Sequence, residues 1–104
     1  MTRTITSTHG VPIRLTDERW AHIVEEHCEL AGLRNETLEA VAGPERVVAG
    51  CGGEFLALRQ LDKRRVLVVV YREVSEDDGF VITGFVTTRI ASLDRREQIW
   101  PPKT

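Results

Sequence analysis

A chain of 104 residues is long enough for one domain with a real core. Its hydrophobic content of 41% and charged content of 29% are those of an ordinary globular protein, and no apolar run is long enough to span a membrane. A formal net charge of −2 argues against a protein that simply coats nucleic acid.

The charge is unevenly spread. Residues 1–16 carry two arginines and no acid, residues 17–54 carry nine acids against three bases, and residues 55–104 carry nine bases against seven acids. A later, mildly basic part can attract an anion that the acidic part repels. Residues 1–10 lack the apolar run of a secretory signal. Cys28 and Cys51 lack CxxC spacing, so two free thiols in a reducing cytoplasm are expected rather than a disulfide.

Residues 4–7 and 11–15 flank His9-Gly10 and read as a loose hairpin, with His9 a turn residue. Residues 14–30 (RLTDERWAHIVEEHCEL) follow and read as an amphipathic helix. Thr16 is a good N-cap, and Asp17 and Glu18 suit the positive end of the helix dipole. At ~100° per residue Trp20, Ile23, Val24 and Ala31 share one face, with His27 in its middle. His22 projects roughly 140° away, on the polar side. The helix is expected to run from Asp17 to about Cys28 or Leu30, with Gly32 beyond its end. Asn35 is the candidate N-cap of a second, short helix edged by Leu38, Val41 and Ala42 and ended by Gly43-Pro44.

Beyond Pro44 the period changes to that of strands. Residues 45–49 and 55–61 are extended runs separated by a glycine-rich turn, and residues 65–73 (RVLVVVYRE) form the strongest strand. An acidic loop at 75–79 leads to a last long strand, 80–90 (FVITGFVTTRI). A short helix is expected within 92–99. Helices followed by consecutive strands predict an α+β domain, with N-terminal helices packed on one face of an antiparallel sheet of about four strands. The expected organisation is a hairpin at 1–16, a helical part at 17–43, a sheet at 45–90 and a tail at 91–104. Strand parity sends Phe80, Ile82, Gly84, Val86, Thr88 and Ile90 toward the helices, and Val81, Thr83, Phe85, Thr87 and Arg89 outward. The expected core is Trp20, Ile23, Val24, Leu38, Val41, Leu67 or Val68, Val70, Ile82 and Val86.

Several chemistries are excluded by spacing. His22 and His27 are five apart, whereas zinc on a straight helix needs i, i+4. No Walker loop, dinucleotide fingerprint or G-x-S-x-G elbow is present. Cys28 and His27 point about 100° apart on a helix, which argues against a nucleophilic pair there. Metal-independent acid–base chemistry without a cofactor, or a binding role, remains.

Four pieces, LTDERWAHIVEEH, GPERVVAG, LVVVYRE and GFVITGFVTTRI, occur in an order that resembles the barnase–EndoU–colicin–RelE-like nuclease superfamily, in particular its small phage- and toxin-associated branch. The resemblance covers about residues 13–89. It implies metal-independent RNA cleavage, in which the neighbouring 2′-hydroxyl attacks the phosphate. It assigns the helix histidine to His27 or His22, the basic strand residue to Arg72 and the hydroxyl residue to Thr83 or Thr87. His22, Arg59, Tyr71 and Arg89 are the accompanying candidates for substrate contact. The implied partners are RNA and an antitoxin or immunity protein. His27 can serve such a site only if it emerges at the helix end, near a sheet edge. The competing reading is a non-catalytic binding module that retains the nuclease-like fold.

Overall fold

The structure is a computed structural model and describes residues 1–102. The last two residues of the expected tail, 91–104, lie outside the described residues. Among the described residues the chain is α+β, but strands come first and the sheet has seven strands rather than four. Strands β1 (Thr2–Thr6) and β2 (Pro12–Thr16) form an antiparallel hairpin. Helix α1 (Asp17–Glu26), a 3-10 turn (Cys28–Leu30) and helix α2 (Arg34–Ala42) follow. Then come β3 (Arg46–Ala49), β4 (Phe55–Gln60), β5 (Val66–Ser75), β6 (Asp78–Thr87), helix α3 (Ile90–Asp94) and β7 (Gln98–Trp100). The sheet order is β1-β2-β6-β5-β4-β3-β7.

The sheet is mixed because β2 lies parallel to β6, with Arg14 opposite Phe80. Sequence periodicity detects strands but not which distant strands meet, so the N-terminal hairpin read as an appendage rather than as two sheet strands. The junction depends on Gly79: a Cβ there would stand 2.5 Å from Ile13 Cδ1 and 2.6 Å from the Arg72 carbonyl oxygen. Ile13 and Leu15 are thereby fully buried. The acidic loop at 75–79 contracts to a tight turn, since Ser75 already pairs with Asp78.

Helices α1 and α2 cover one face of the sheet. Ile23, Leu30, Leu38, Ala40 and Val41 pack there on Ile13, Leu15, Val47, Ala57, Leu67, Val69 and Val81. The other face carries a smaller core of Val48, Leu56, Leu58, Val66 and Val68, closed by Leu93 of α3. Helices therefore lie on both faces, not one. Trp20, Val24, Val70, Ile82 and Val86 are only half-buried, unlike Ile23, Leu38, Val41, Leu67 and Val68.

Local signals explain the helix starts only in part. Thr16 caps α1, its hydroxyl accepting the Arg19 amide at 3.0 Å. Asn35 does not cap α2, which begins at Arg34; its side chain accepts from Arg3 at 2.7 Å instead. Helix α1 stops at Glu26, short of the expected end, and a 3-10 turn carries the buried Leu30. The β4–β5 turn is built on Asp62, whose carboxylate accepts the Arg64 and Arg65 amides at 2.9 Å and Arg65 Nε at 2.7 Å. The Arg64 amide, then the Arg65 guanidinium and amide, hold the Asp62 carboxyl at about 2.

Two expected outcomes follow from this packing. Ile23→Ala costs ~2–5 kcal/mol in a denaturant titration, as for other well-packed aliphatic sites. Asp62→Ala lowers stability at neutral pH. Because the folded carboxyl lies below its ordinary 3.8, the contribution is present above that value and lost as pH falls toward about 2. Melting curves of the two proteins should therefore converge over that window.

Candidate functional site

Helix α1 ends in an unusual way, and the site grows from that end. His27 is the residue after the last helical position, with φ −131° and ψ 73°, so its side chain leaves the helix surface. Leu30, three residues on, is fully buried against β6. The intervening turn is tied down further by Glu29, whose carboxylate lies 3.5 Å from the Val86 amide. The imidazole is thus held over the edge of β6, with its ring 6.3 Å from that of Phe85. The Glu29 carboxylate lies 3.7 Å from its Nδ1.

A bulge in β6 completes the arrangement. Val70 pairs with Thr83 but Tyr71 pairs with Val81, so Ile82 is an extra residue. An inserted residue reverses the face of everything before it. Val81, assigned outward by strict alternation, is therefore buried under the helices, while Gly84 and Val86 keep their helix-side positions. Phe80 moves to the other face with Arg72. At the bulge, Ile82 and Thr83 both line an open cleft of about 280 Å³ with Arg19, His22, Ile23, Glu26 and His27.

The cleft brings together His22, His27 and Thr83. The two histidines are not on opposing sides, because His27 has left the helix. Arg19 and Glu26 were missed as site residues. The available signal was the spacing of Arg19, His22 and Glu26 at i, i+3 and i+7, one face of a helix. With both imidazoles neutral, Arg19 and Glu26 balance in charge. Protonating either histidine makes the cleft positive.

The remaining candidates lie elsewhere. Arg72 donates to the Gly52 carbonyl at 3.0 Å, leaning toward the β3–β4 turn. There the Gly52 amide and its own amide, then Arg72 and Arg96, hold the Glu54 carboxyl below its usual range. Arg59 donates to the Gly43 and Glu39 carbonyls at the end of α2, at 3.2 and 3.4 Å. Thr87 accepts the Arg89 amide at 3.0 Å, and Arg89 is the exposed N-cap residue of α3. Tyr71 is fully buried and cannot touch a ligand from the surface. Its hydroxyl and that of Thr8 are buried without a hydrogen bond of acceptable geometry. Burial, then the Glu73 carboxylate, pushes its phenol well above the ordinary value, with the nearby Thr8 hydroxyl opposing.

His9 is more than a turn residue. Its Nδ1 lies 2.8 Å from Glu73, which also accepts from Ser7 at 2.5 Å. Its ring meets Phe55 edge-on at 5.7 Å. This group clasps the β1–β2 hairpin to β5. Among the described residues no three His, Cys, Asp or Glu side chains are grouped so that they could hold a metal ion, and Cys28 and Cys51 are free and exposed. No described helix is long and apolar enough to cross a membrane.

Comparison with protein-family models, with curated proteins and with solved structures finds no match to this chain.

The buried phenol gives a direct check on its structural role. Removing an unpartnered hydroxyl removes a desolvation cost, so Tyr71→Phe should raise stability by about 1 kcal/mol in denaturant. A loss of that size would mean that the hydroxyl is hydrogen-bonded after all.

Proposed function

We propose that the protein is a metal-independent endoribonuclease, the toxin of a two-gene pair or a relative of one. One observation carries the reading: two histidines, an arginine and a threonine line the same open cleft. Cleavage through a 2′-hydroxyl needs a base for the 2′-proton, an acid for the leaving 5′-oxygen and a cation for the charged phosphorane. His22 and His27 supply the base and the acid. Arg19 supplies the cation, and Thr83 donates a hydrogen bond to a phosphate oxygen. The half-buried Phe85, beside His27, offers a face on which a base can stack. This reading keeps the superfamily resemblance but moves the cationic role from Arg72 to Arg19.

The second reading is a binding module that retains the fold without the chemistry. Two observations favour it: Glu26 lines the cleft, where it repels phosphate, and Arg72 is engaged with a backbone carbonyl.

Purified protein should cut single-stranded RNA in the presence of EDTA, leave a cyclic phosphate end and spare DNA. The rate should be bell-shaped in pH, as expected when one group gives and another takes a proton. His27→Ala and His22→Ala should each lose ~10²–10⁴-fold. Arg19→Ala should lose ~10²–10³-fold, the range for a group that stabilises transition-state charge. Arg72→Ala should stay near wild type. RNA left equally intact by wild type and His27→Ala across the pH range would sink the enzyme reading. RNA binding without cleavage would then identify the module.

A further inference from the structure

The end of the sheet where β4 turns into β5 carries a run of cations. Lys63, Arg64 and Arg65 occupy the turn, and all are exposed. Pairing of Val66 with Thr87 brings the end of β6 alongside, so Thr88 lines the same hollow as they do, and Arg89 is the next residue of the chain. An open hollow is lined by Asp62, Lys63, Arg64, Arg65 and Thr88. Asp62 is the hollow's only acid. Its carboxylate is occupied by two backbone amides and the Arg65 guanidinium, which also makes the turn rigid. Lys63, Arg64 and Arg89 therefore face solvent on a fixed platform, on a chain whose net charge is −2.

The platform is in line with the cleft. Thr83, Phe85 and Thr87 share one face of β6 and lead from the His27 edge toward Thr88. At ~3.3 Å per residue the distance from Thr83 to Thr88 is roughly 17 Å, the reach of a few nucleotides.

We propose that the β4–β5 turn, with Arg89, is a second binding site for the phosphate backbone of single-stranded RNA, holding the strand that runs on from the cleft. The proposal extends the RNA reading of the cleft; it depends on RNA being the ligand and not on cleavage. Contacts of this kind position a strand without reading its sequence.

The test is the triple variant Lys63→Ser/Arg64→Ser/Arg89→Ser in the full chain, with Arg65 retained because it braces the turn. The probe is a fluorescent single-stranded RNA of about 12 nucleotides carrying 2′-O-methyl groups, a length within single-strand site sizes. Its affinity is measured by anisotropy from about 50 to about 200 mM salt. The triple variant should bind at least ~10-fold more weakly at low salt, and its log–log salt slope should be shallower by about 2, at roughly 0.7 per lost phosphate contact. Arg95→Ser, at the other end of α3, should leave the slope unchanged. Cleavage of a dinucleotide, too short to reach the platform, should be the same in the triple variant and wild type. If the slope falls but no substrate is cut by either protein, the platform stands and the nuclease reading fails. If the triple variant keeps the wild-type slope, or wild type does not bind the probe, the platform is overturned whatever the cleavage result.

Discussion

Leu30 seated on Gly84 is the contact from which the candidate site takes its shape. A Cβ on Gly84 would stand 3.2 Å from Leu30 Cδ1, so the absence of a side chain lets the turn after α1 come down onto β6. The α-helix ends at Glu26, and Leu30 is buried there from the 3-10 turn that follows. His27 is the residue between the two elements. It is neither a core histidine nor a helix-surface one: it caps the helix and overhangs the strand.

The strand beneath is shaped by a different constraint. Gly79 lets β2 approach β5 and β6, and the bulge at Ile82 changes the phase of β6 between that junction and the cleft. Val81 fills the core while Thr83, two residues later, is free to line a surface cleft. A regular strand would put both on the same face. Bulges are frequent beside sites for this reason: one extra residue re-aims a side chain without altering the sheet on either side.

The electrostatic design is polar along the molecule. Acids concentrate on the helices, and the β4–β5 turn gathers Lys63, Arg64 and Arg65 around Asp62, whose carboxylate the turn itself consumes. Several arginines that look available in the sequence are spent on structure. Arg59 closes the end of α2, Arg72 holds the β3–β4 turn, and Arg14 pairs with Asp78. Lys63, Arg64 and Arg89 stay exposed and outside such contacts at the end of the strand that borders the cleft, as Arg19 does in the cleft and Arg95 beyond α3.

Much of the local structure was legible in the sequence, because local structure depends on near neighbours. The N-cap at Thr16, the burial of Ile23 and the valine-rich β5 follow from spacing and residue type. The α+β class follows from the order of the periods. Sequence alone did not decide how many strands share the sheet, since the β2–β6 pairing joins residues 66 apart and is licensed by the missing side chain of Gly79. Nor did it decide the phase of β6, because one inserted residue leaves the composition unchanged while reversing a face. The union of His22 with His27 and Thr83, and the loss of Arg72 and Tyr71 from the site, likewise belong to tertiary structure. Each turns on where a chain must bend to bury an apolar residue, a balance struck between distant segments and written in neither one by itself.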